Sequence, residues 1–589
     1  MKVPKKLSAF SVYSRRLKEK KKAKRESKAK SKTADLSLVS NDENNAKEAA
    51  NTSLSSIVNA AKAMDIEESH VSDSADYQTD DNQEEAEIER ERFFSKTNKI
   101  RKSWSRSDPG LRIRSKLKRR LSSKQLNSFR TIESSDVSQK SFPFSSKAFH
   151  LKSASTSAIP SYLNDSRIQA RKCFEWLINP FKTEQFFKEI WEKKPLLLKR
   201  KQNDYYHGVF STAEFDTILR ENHVQFTRNI DITSYSNDER KTLNPDGRAY
   251  PAIVWDNFQN GCSVRFLNPQ TYSRSVWKLN SVLQEYFGSF VGANIYLTPA
   301  GSQGFAPHYD DIEAFILQLE GKKVWRVYAP ADESDTLPRY SSGNLKRSEI
   351  DREPLLQVEL EPGDLLYFPR GFVHEAKTTE ETYSLHITLS VSQKNTFGDL
   401  LEILLPQALQ TAIAEDIEFR ESLPRDCFSY MGIANQEMIN PQRYDFLAKI
   451  QSLMGKVINY AHIDAAVDQK AKGFIHDCLP PVLNENTKNA SIHSGGEKWV
   501  NGHIEGSVEL EPDIEIKLIR HGVVRLVMEE DTVRLYHTLE NSRVYHEFEP
   551  QYIDIGADKA PAVEYLLRSY PNYISIDQLP LATLDDKVR

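Results

Sequence analysis

Apolar positions are sparse and without sustained period over residues 1–165, then become regular. A segment that buries so little apolar surface cannot offset the entropy of ordering its backbone, so a disordered arm is expected over 1–165. Character changes near Ser166. Cys173-Phe-Glu-Trp-Leu-Ile and Phe186-Phe-Lys-Glu-Ile-Trp191 carry apolar residues at helical spacing, and Pro195-Leu-Leu-Leu198 predicts a buried strand opening at a proline. From about 250 to 395 short apolar runs alternate with Gly, Pro and Asp, the pattern of an all-β barrel. The predicted strands are Ser263–Leu267, Ala293–Leu297, Ala314–Leu319, Lys323–Tyr328, Leu355–Leu360, Leu365–Phe368 and Ser384–Val391. Helical spacing returns in Leu400–Leu405 and Tyr444–His462. Residues 480–589 mix predicted strands (Ile514–Met528, Thr532–Leu539, Val544–Phe548) with a helix over Ala560–Tyr570. No internal repeat is evident.

Length and composition refine this picture. A chain of 589 residues exceeds what one hydrophobic core holds, so several units are expected. Mean hydropathy is −0.59 although 39% of residues are hydrophobic, which fits folded domains diluted by a polar arm. The net charge of −3 conceals local blocks. Lys20-Lys-Lys-Ala-Lys-Arg25 and Lys116-Leu-Lys-Arg-Arg120 resemble nuclear or nucleolar targeting or nucleic-acid contact, with an acidic stretch between them. Four scattered cysteines (Cys173, Cys262, Cys427, Cys478) form no CxxC pair, so a reducing compartment is expected and a disulfide framework is not. No apolar run reaches the length of a membrane span, and the charged first residues, lacking an apolar run, are not expected to act as a secretory signal.

The candidate chemistry lies in the β-rich region. His308-Tyr-Asp310 places two metal-ligand types two residues apart, on one face if the segment is a strand. Pro362-Gly363-Asp364 then predicts a turn, Leu365–Phe368 a strand, and Pro369–Gly371 a second turn delivering His374. Two imidazoles and one carboxylate on one face leave coordination positions open, the donor set of non-haem Fe(II) oxygenases. The open positions suit a chelating 2-oxo acid and O2. His386 competes with His374 as third ligand, and its place on the Ser384–Val391 strand favours a supporting role.

Four blocks carry a family resemblance: Gly304–Phe315, Leu319–Trp325, Pro362–His374 and Ser384–Thr388. Together they resemble the ribosomal oxygenase subfamily of JmjC proteins, over about residues 166–589. The resemblance implies an α+β multidomain chain: a disordered arm (1–165), a JmjC double-stranded β-helix, or cupin-like, barrel (166–397), a helical dimerisation domain (398–479) and a winged-helix domain (480–589). It implies His308, Asp310 and His374 as ligands to Fe(2+). Lys323 matches the lysine that pairs with 2-oxoglutarate, with Lys322 as the alternative inward residue. Asn294 and Tyr296 match cosubstrate contacts, with Thr388 and Ser390 beside them. Arg265 and Asn344 resemble residues lining the substrate side.

The activity so implied is 2-oxoglutarate-dependent hydroxylation of a histidine in ribosomal protein uL2, using O2. Demethylation of methyl-lysines in histone H3, with transcriptional repression, is implied beside it. A homodimer or higher homo-oligomer in the nucleus or nucleolus is implied too. Asp310 as the carboxylate, and the absence of a cysteine-rich chromatin reader, favour the histidyl reaction. The acidic character of Glu509–Glu515 and Glu529–Asp531 favours a structural or protein-binding role for the winged helix over a DNA reader. A second reading stays open: a barrel without chemistry, serving as a binding module in nucleolar or chromatin complexes. The complete ligand set together with Lys323 favours the enzyme.

Overall fold

The computed structural model describes residues 128–133, 165–483, 487, 488, 491, 498–505, 510–529, 531–583, 586 and 587. Most of the expected arm, with both basic blocks, lies outside them. One part of it does not: β1 (Arg130–Glu133) pairs in parallel with β2 (Leu196–Lys199), so this stretch is a strand where disorder was expected. Four residues are too short for alternation to register in a sequence, and the ladder to β2 supplies what local pattern lacks.

Between β1 and β2 lie helices α1 (Ser166–Ile178) and α2 (Thr183–Glu189). Then follow α3 (Thr212–Glu221), the hairpin β3 (Ile230–Ser236) and β4 (Glu239–Thr242), α4 (Pro251–Gln259), β5 (Ser263–Leu267) and α5 (Arg274–Phe287). The barrel continues with β6 (Val291–Thr298), β7 (Glu313–Gly321), β8 (Lys323–Tyr328), β9 (Leu356–Leu360), β10 (Leu365–Phe368), β11 (Val373–Thr378) and β12 (Ser384–Val391). One sheet has the order β1-β2-β10-β7-β12-β6-β5-β3-β4, and a second has β11-β8-β9. The sequence pattern finds eight of these twelve strands; β1, β3, β4 and β11 carry too many polar residues to register.

Strand alternation divides the interior in two. On β7, Phe315, Leu317 and Leu319 join a core shared with α1 and α5, whereas Ala314 and Ile316 join a second core with Trp325, Val327, Leu366 and Phe368 from between the sheets. Both faces of β7 and β10 are thus buried, which is why these strands read as unbroken apolar runs. β6 and β12 differ. Ala293, Ile295 and Leu297, with Leu385, Ile387 and Leu389, enter the helix-packed core, and the intervening residues are Asn294, Tyr296 and Thr298, with His386, Thr388 and Ser390. A polar face therefore looks into the barrel from two paired strands.

Three long helices follow, α6 (Phe397–Glu415), α7 (Pro441–Val457) and α8 (Ile463–Asp477), with a single helical turn, Cys427–Tyr430, between the first two. Thr396 and Asp399 close a reciprocal capping box at the start of α6. The last segment contains β13 (Lys498–Val500), β14 (His503–Glu505), β15 (Glu515–Ile516), β16 (Val524–Glu529), β17 (Thr532–His537), β18 (Tyr552–Ile555), α9 (Ala560–Ser569) and β19 (Ile574–Ser575). Two expectations fail here. The strand over Ile514–Met528 is two strands, interrupted where Gly522 adopts φ +75°. Val544–Phe548 is a turn, with His546 at φ +51°, and the strand that pairs with β17 on the side away from β16 is β18. No described helix is long and apolar enough to cross a membrane.

Candidate active site

His308 and Asp310 do not lie on a strand, as the alternation argument expects, but in the connection between β6 and β7. Pro307 and the acidic run after it cannot sustain a ladder. A single antiparallel bridge replaces one: the His308 amide donates to the His374 carbonyl (3.2 Å) and the His374 amide to the His308 carbonyl (2.8 Å). This bridge sets the two imidazoles side by side, ring centroids 4.4 Å apart. Asp310 is held from the opposite side, its carbonyl accepting the Gly371 amide at 3.1 Å. Ser341 and Ser342 hydroxyls accept the amides of Asp311 and Tyr309, fixing the rest of the loop. His374 is the second residue of β11 rather than the end of a free turn.

The ligand atoms converge. His308 Nε2 is 3.8 Å and His374 Nε2 3.7 Å from the Asp310 carboxylate, and all three residues offer a donor within 4.8 Å of the others. Each imidazole is oriented by its other nitrogen. His308 Nδ1 donates to the Ala306 carbonyl (2.8 Å) and His374 Nδ1 to the Phe372 carbonyl (3.1 Å). A carbonyl only accepts, so both Nε2 atoms present lone pairs, the tautomer a metal ligand needs. Burial, and then the neighbouring His308, push the His374 imidazole down to about 4, so it is neutral and able to ligate. The N2O donor set fits a divalent first-row ion with open positions.

Lys323 begins β8 and is 4% exposed. Its ammonium donates to Thr298 Oγ1 at 2.9 Å, and among the described residues no carboxylate pairs with it. Burial alone pushes it down to about 7. Lys322 is half-exposed and pairs with Glu359 and Glu361, so Lys323 is the inward lysine. A buried ammonium without a counter-anion is costly unless a ligand supplies one. Trp325 spans the space between this cation and the metal cluster: its ring is 6.0 Å from Lys323 Nζ and 6.2 Å from the His374 ring. A short dicarboxylate could therefore reach both, so the residues present fit 2-oxoglutarate.

His386 is not brought to the cluster as a ligand. It is buried, stacks on Tyr296 (4.9 Å, 8°) and meets Trp325 edge-on, and burial holds it well below the usual histidine range. Asn294, Tyr296, Thr388 and Ser390 all line a cavity of about 780 Å³ that His308 and Asp310 also face. Arg265 and Asn344 line the same cavity. Arg265 pairs with Asp231 on β3, which fixes its guanidinium. Sequence reasoning missed Thr298, Trp325, Arg240 and Phe305. Thr298 continues the 294–296 alternation and could have been found by extending it. Arg240 lies over the Phe305 ring (4.6 Å) but sits in a charged hairpin that gives no signal.

The chain is similar to known proteins over the region that holds this site. A JmjC domain model matches residues 265–398, and a model described as the C-terminal winged helix domain of ribosomal oxygenase 1 matches residues 479–589. Ribosomal oxygenase 1 of Gallus gallus is 53% identical over 427 residues, covering 72% of this chain and 71% of its own. The bifunctional lysine-specific demethylase and histidyl-hydroxylase NO66 of Branchiostoma floridae is 53% identical over 426 residues, covering 72% and 66%. Ribosomal oxygenase 1 of Homo sapiens is 46% identical over 436 residues, covering 74% and 67%.

Proposed function

This chain belongs to the ribosomal oxygenase 1 family of JmjC proteins, and from that premise we propose that it is an Fe(II)- and 2-oxoglutarate-dependent oxygenase of protein side chains. The observation that carries the reading is a buried Lys323 with no carboxylate partner among the described residues and a convergent His308–Asp310–His374 cluster on either side of Trp325. In this reading His308, Asp310 and His374 hold the iron. Lys323 and Thr298 hold the far carboxylate of 2-oxoglutarate, with Asn294, Tyr296, Thr388 and Ser390 along its length.

With O2, the bound iron and 2-oxoglutarate supply an oxidant able to take hydrogen from an unactivated C–H bond. The chain's own residues decide which bond. Tyr296, stacked on His386, and Arg265, paired with Asp231, form fixed walls of the cavity that Asp310 faces, and Asn344 lines the same cavity. Such preformed walls orient a side chain without paying to order it at each turnover. The substrate proposed is a histidine of ribosomal protein uL2. A methyl-lysine of histone H3 is the second candidate, since hydroxylation of an N-methyl carbon would give a hemiaminal whose C–N bond breaks, releasing formaldehyde and a lysine with one methyl fewer. Transcriptional repression would follow only from that second reaction.

The apolar residues left exposed on α6 and α7 support a homodimer, and the basic blocks of the arm support nuclear or nucleolar placement and nucleic-acid contact. The decisive experiment is mass spectrometry of a uL2 histidine peptide and a trimethyl-lysine H3 peptide incubated with protein, Fe(II), ascorbate and 2-oxoglutarate. One oxygen gained on the histidine peptide, and lost in His308→Ala, is the expected result. Methyl loss from the H3 peptide alone would make the protein a demethylase. No change in either, with no succinate formed, would leave a binding module.

A further inference from the structure

On the wall of the catalytic cavity, one cation lacks a polar partner among the described residues. The hairpin β3–β4 turns through Asn237 and Asp238, both in the left-handed region (φ +54° and +61°), and this turn sets Arg240 opposite Tyr235. The Tyr235 amide donates to the Gln303 carbonyl at 3.1 Å, so the hairpin is tied to the segment that leads into His308. That tie lays the Arg240 guanidinium over the Phe305 ring, 4.6 Å from its centroid, and Phe305 meets Tyr296 edge-on at 5.3 Å. We propose that Arg240 is a substrate-recognition residue. Its guanidinium binds an oxygen acceptor, a peptide carbonyl or an acidic side chain's carboxylate, on the polypeptide segment flanking the oxidised residue. The inference rests on the oxygenase reading above.

Arg240 shares this wall with Arg265, and both stand near one carboxylate, Asp231. Asp231 is already engaged: its Oδ2 accepts from Arg265 Nε (2.9 Å) and Nη2, and its Oδ1 from Asn244 Nδ2 (2.9 Å). The other charged side chains lining the cavity are engaged too. Asp310 belongs to the metal cluster, and Asp311 accepts from Ser341 and Gln393. Asp477 accepts from Tyr545 and His546, and Lys470 donates to the Lys394 carbonyl. Arg240 makes no hydrogen bond or ion pair among the described residues, and its Nε is buried. Burial, and then the neighbouring Arg265, pull its pKa down, yet a guanidinium stays charged at any working pH.

Donor chemistry narrows the partner. A guanidinium carries five N–H donors in one plane and accepts nothing, so an oxygen must complete it. A peptide entering the cavity displaces the water that otherwise serves these donors, and a charged donor left unmatched is costly. A segment with a carbonyl or carboxylate at this place therefore binds better than one with an apolar or cationic group there, which is discrimination between substrates. Phe305 holds the guanidinium by its ring face and leaves the N–H donors available. β4 is the last strand of its sheet, and Arg240 touches Phe305 while Phe305 touches Tyr296. The guanidinium thus stands one ring outward from the wall beside the cosubstrate, where it meets the flanking chain rather than the oxidised residue.

The test is steady-state kinetics of the full chain with Fe(II) and 2-oxoglutarate, the uL2 histidine peptide and the trimethyl-lysine H3 peptide serving as probes. Wild-type protein that oxidises neither peptide overturns the oxygenase reading and this inference with it. For a peptide that is oxidised, Arg240→Met keeps the packing on Phe305 and loses the donors. It is expected to raise the peptide KM by about tenfold or more, with kcat and the KM for 2-oxoglutarate changed less than about twofold. Arg240→Lys keeps the charge without the planar fork and is expected to fall between the two. Circular dichroism establishes that each variant is folded, and Arg240→Gln replaces any that is not. Salt separates the two acceptors. A wild-type peptide KM that climbs with salt, and no longer does so in Arg240→Met, marks a carboxylate; a difference that salt leaves unchanged marks a carbonyl. A wild-type peptide KM in both folded variants, or a loss carried by kcat alone, would overturn the role of Arg240 and leave the oxygenase reading standing.

Discussion

Lys323 shows what a single residue decides in this molecule. Its ammonium is buried beside Thr298 with no carboxylate partner among the described residues, and burial draws it from 10.5 down to about 7. Below pH 7 it is charged before 2-oxoglutarate arrives. Above pH 7 binding must take up a proton, so the affinity for 2-oxoglutarate is expected to fall by up to tenfold per pH unit. Calorimetry in buffers of different ionisation enthalpy would read that uptake directly; no proton linkage above pH 7 would contradict it. The sign for the ligand-free fold is opposite. Between about 7 and 10.5 the unfolded chain holds this proton and the folded one does not, so the cost of burying Lys323 shrinks, and the fold gains stability, as pH rises across that window. Lys323→Ala is expected to raise KM for 2-oxoglutarate by about 100-fold, the scale of a lost buried ion pair, with the melting temperature kept or raised. That His308, Asp310 and His374 are candidate ligands was legible from residue type and turn spacing. Their real geometry was not, since a single backbone bridge between residues 308 and 374 sets it.

At the scale of elements, the Pro362-Gly363-Asp364 turn is built into its surroundings. Gly363 adopts φ +92°, and a Cβ there would meet the Gln202 carbonyl oxygen at 2.1 Å. Asp364 accepts from the Arg200 amide (3.1 Å) and Lys199 Nζ (2.6 Å), and the Arg200 guanidinium donates to the Gly363 carbonyl (2.9 Å). The turn fixes the start of β10, and β10 leads through Gly371 to the Asp310 clasp and His374. Gly363→Ala is therefore expected to cost more than about 2 kcal/mol, read from urea unfolding, because conformation and space both oppose it. A loss below about 0.5 kcal/mol would show that the turn relaxes freely. At the start of α6, Thr396→Ala removes a two-way cap and is expected to cost about 1 kcal/mol by the same measurement. Elements with strong alternation or unbroken apolar character were legible, as β5, β8, β10 and β12 show. The hairpin β3–β4 and strand β11 were not, because their polar residues are paired by neighbours distant in sequence.

For the whole molecule, α6 poses the plainest question. Leu401, Leu405, Leu409 and Ile413 recur every four residues along it and are all exposed, as are Leu447, Ile450 and Met454 on α7. A continuous apolar stripe of this kind is costly in water and suits a second copy of the chain. Leu405→Glu/Leu409→Glu is expected to convert a dimer to a monomer in light scattering coupled to size exclusion. A monomeric wild-type protein would instead make the stripe a surface for another partner.

What the sequence determined by itself was local: residue types able to ligate iron, turns coded by Pro and Gly, apolar periods that mark strands and helices, and blocks specific enough to reveal the family. What only the tertiary structure decided was non-local. It placed Lys323 rather than Lys322 inside, turned His386 into a packing partner for Tyr296, and set Arg265 against Asp231. It also laid Arg240 over Phe305 on the wall of the cavity. The physical reason is that periodicity records which face of an element is apolar. Which buried polar groups meet across that face depends on registers between segments far apart in the chain.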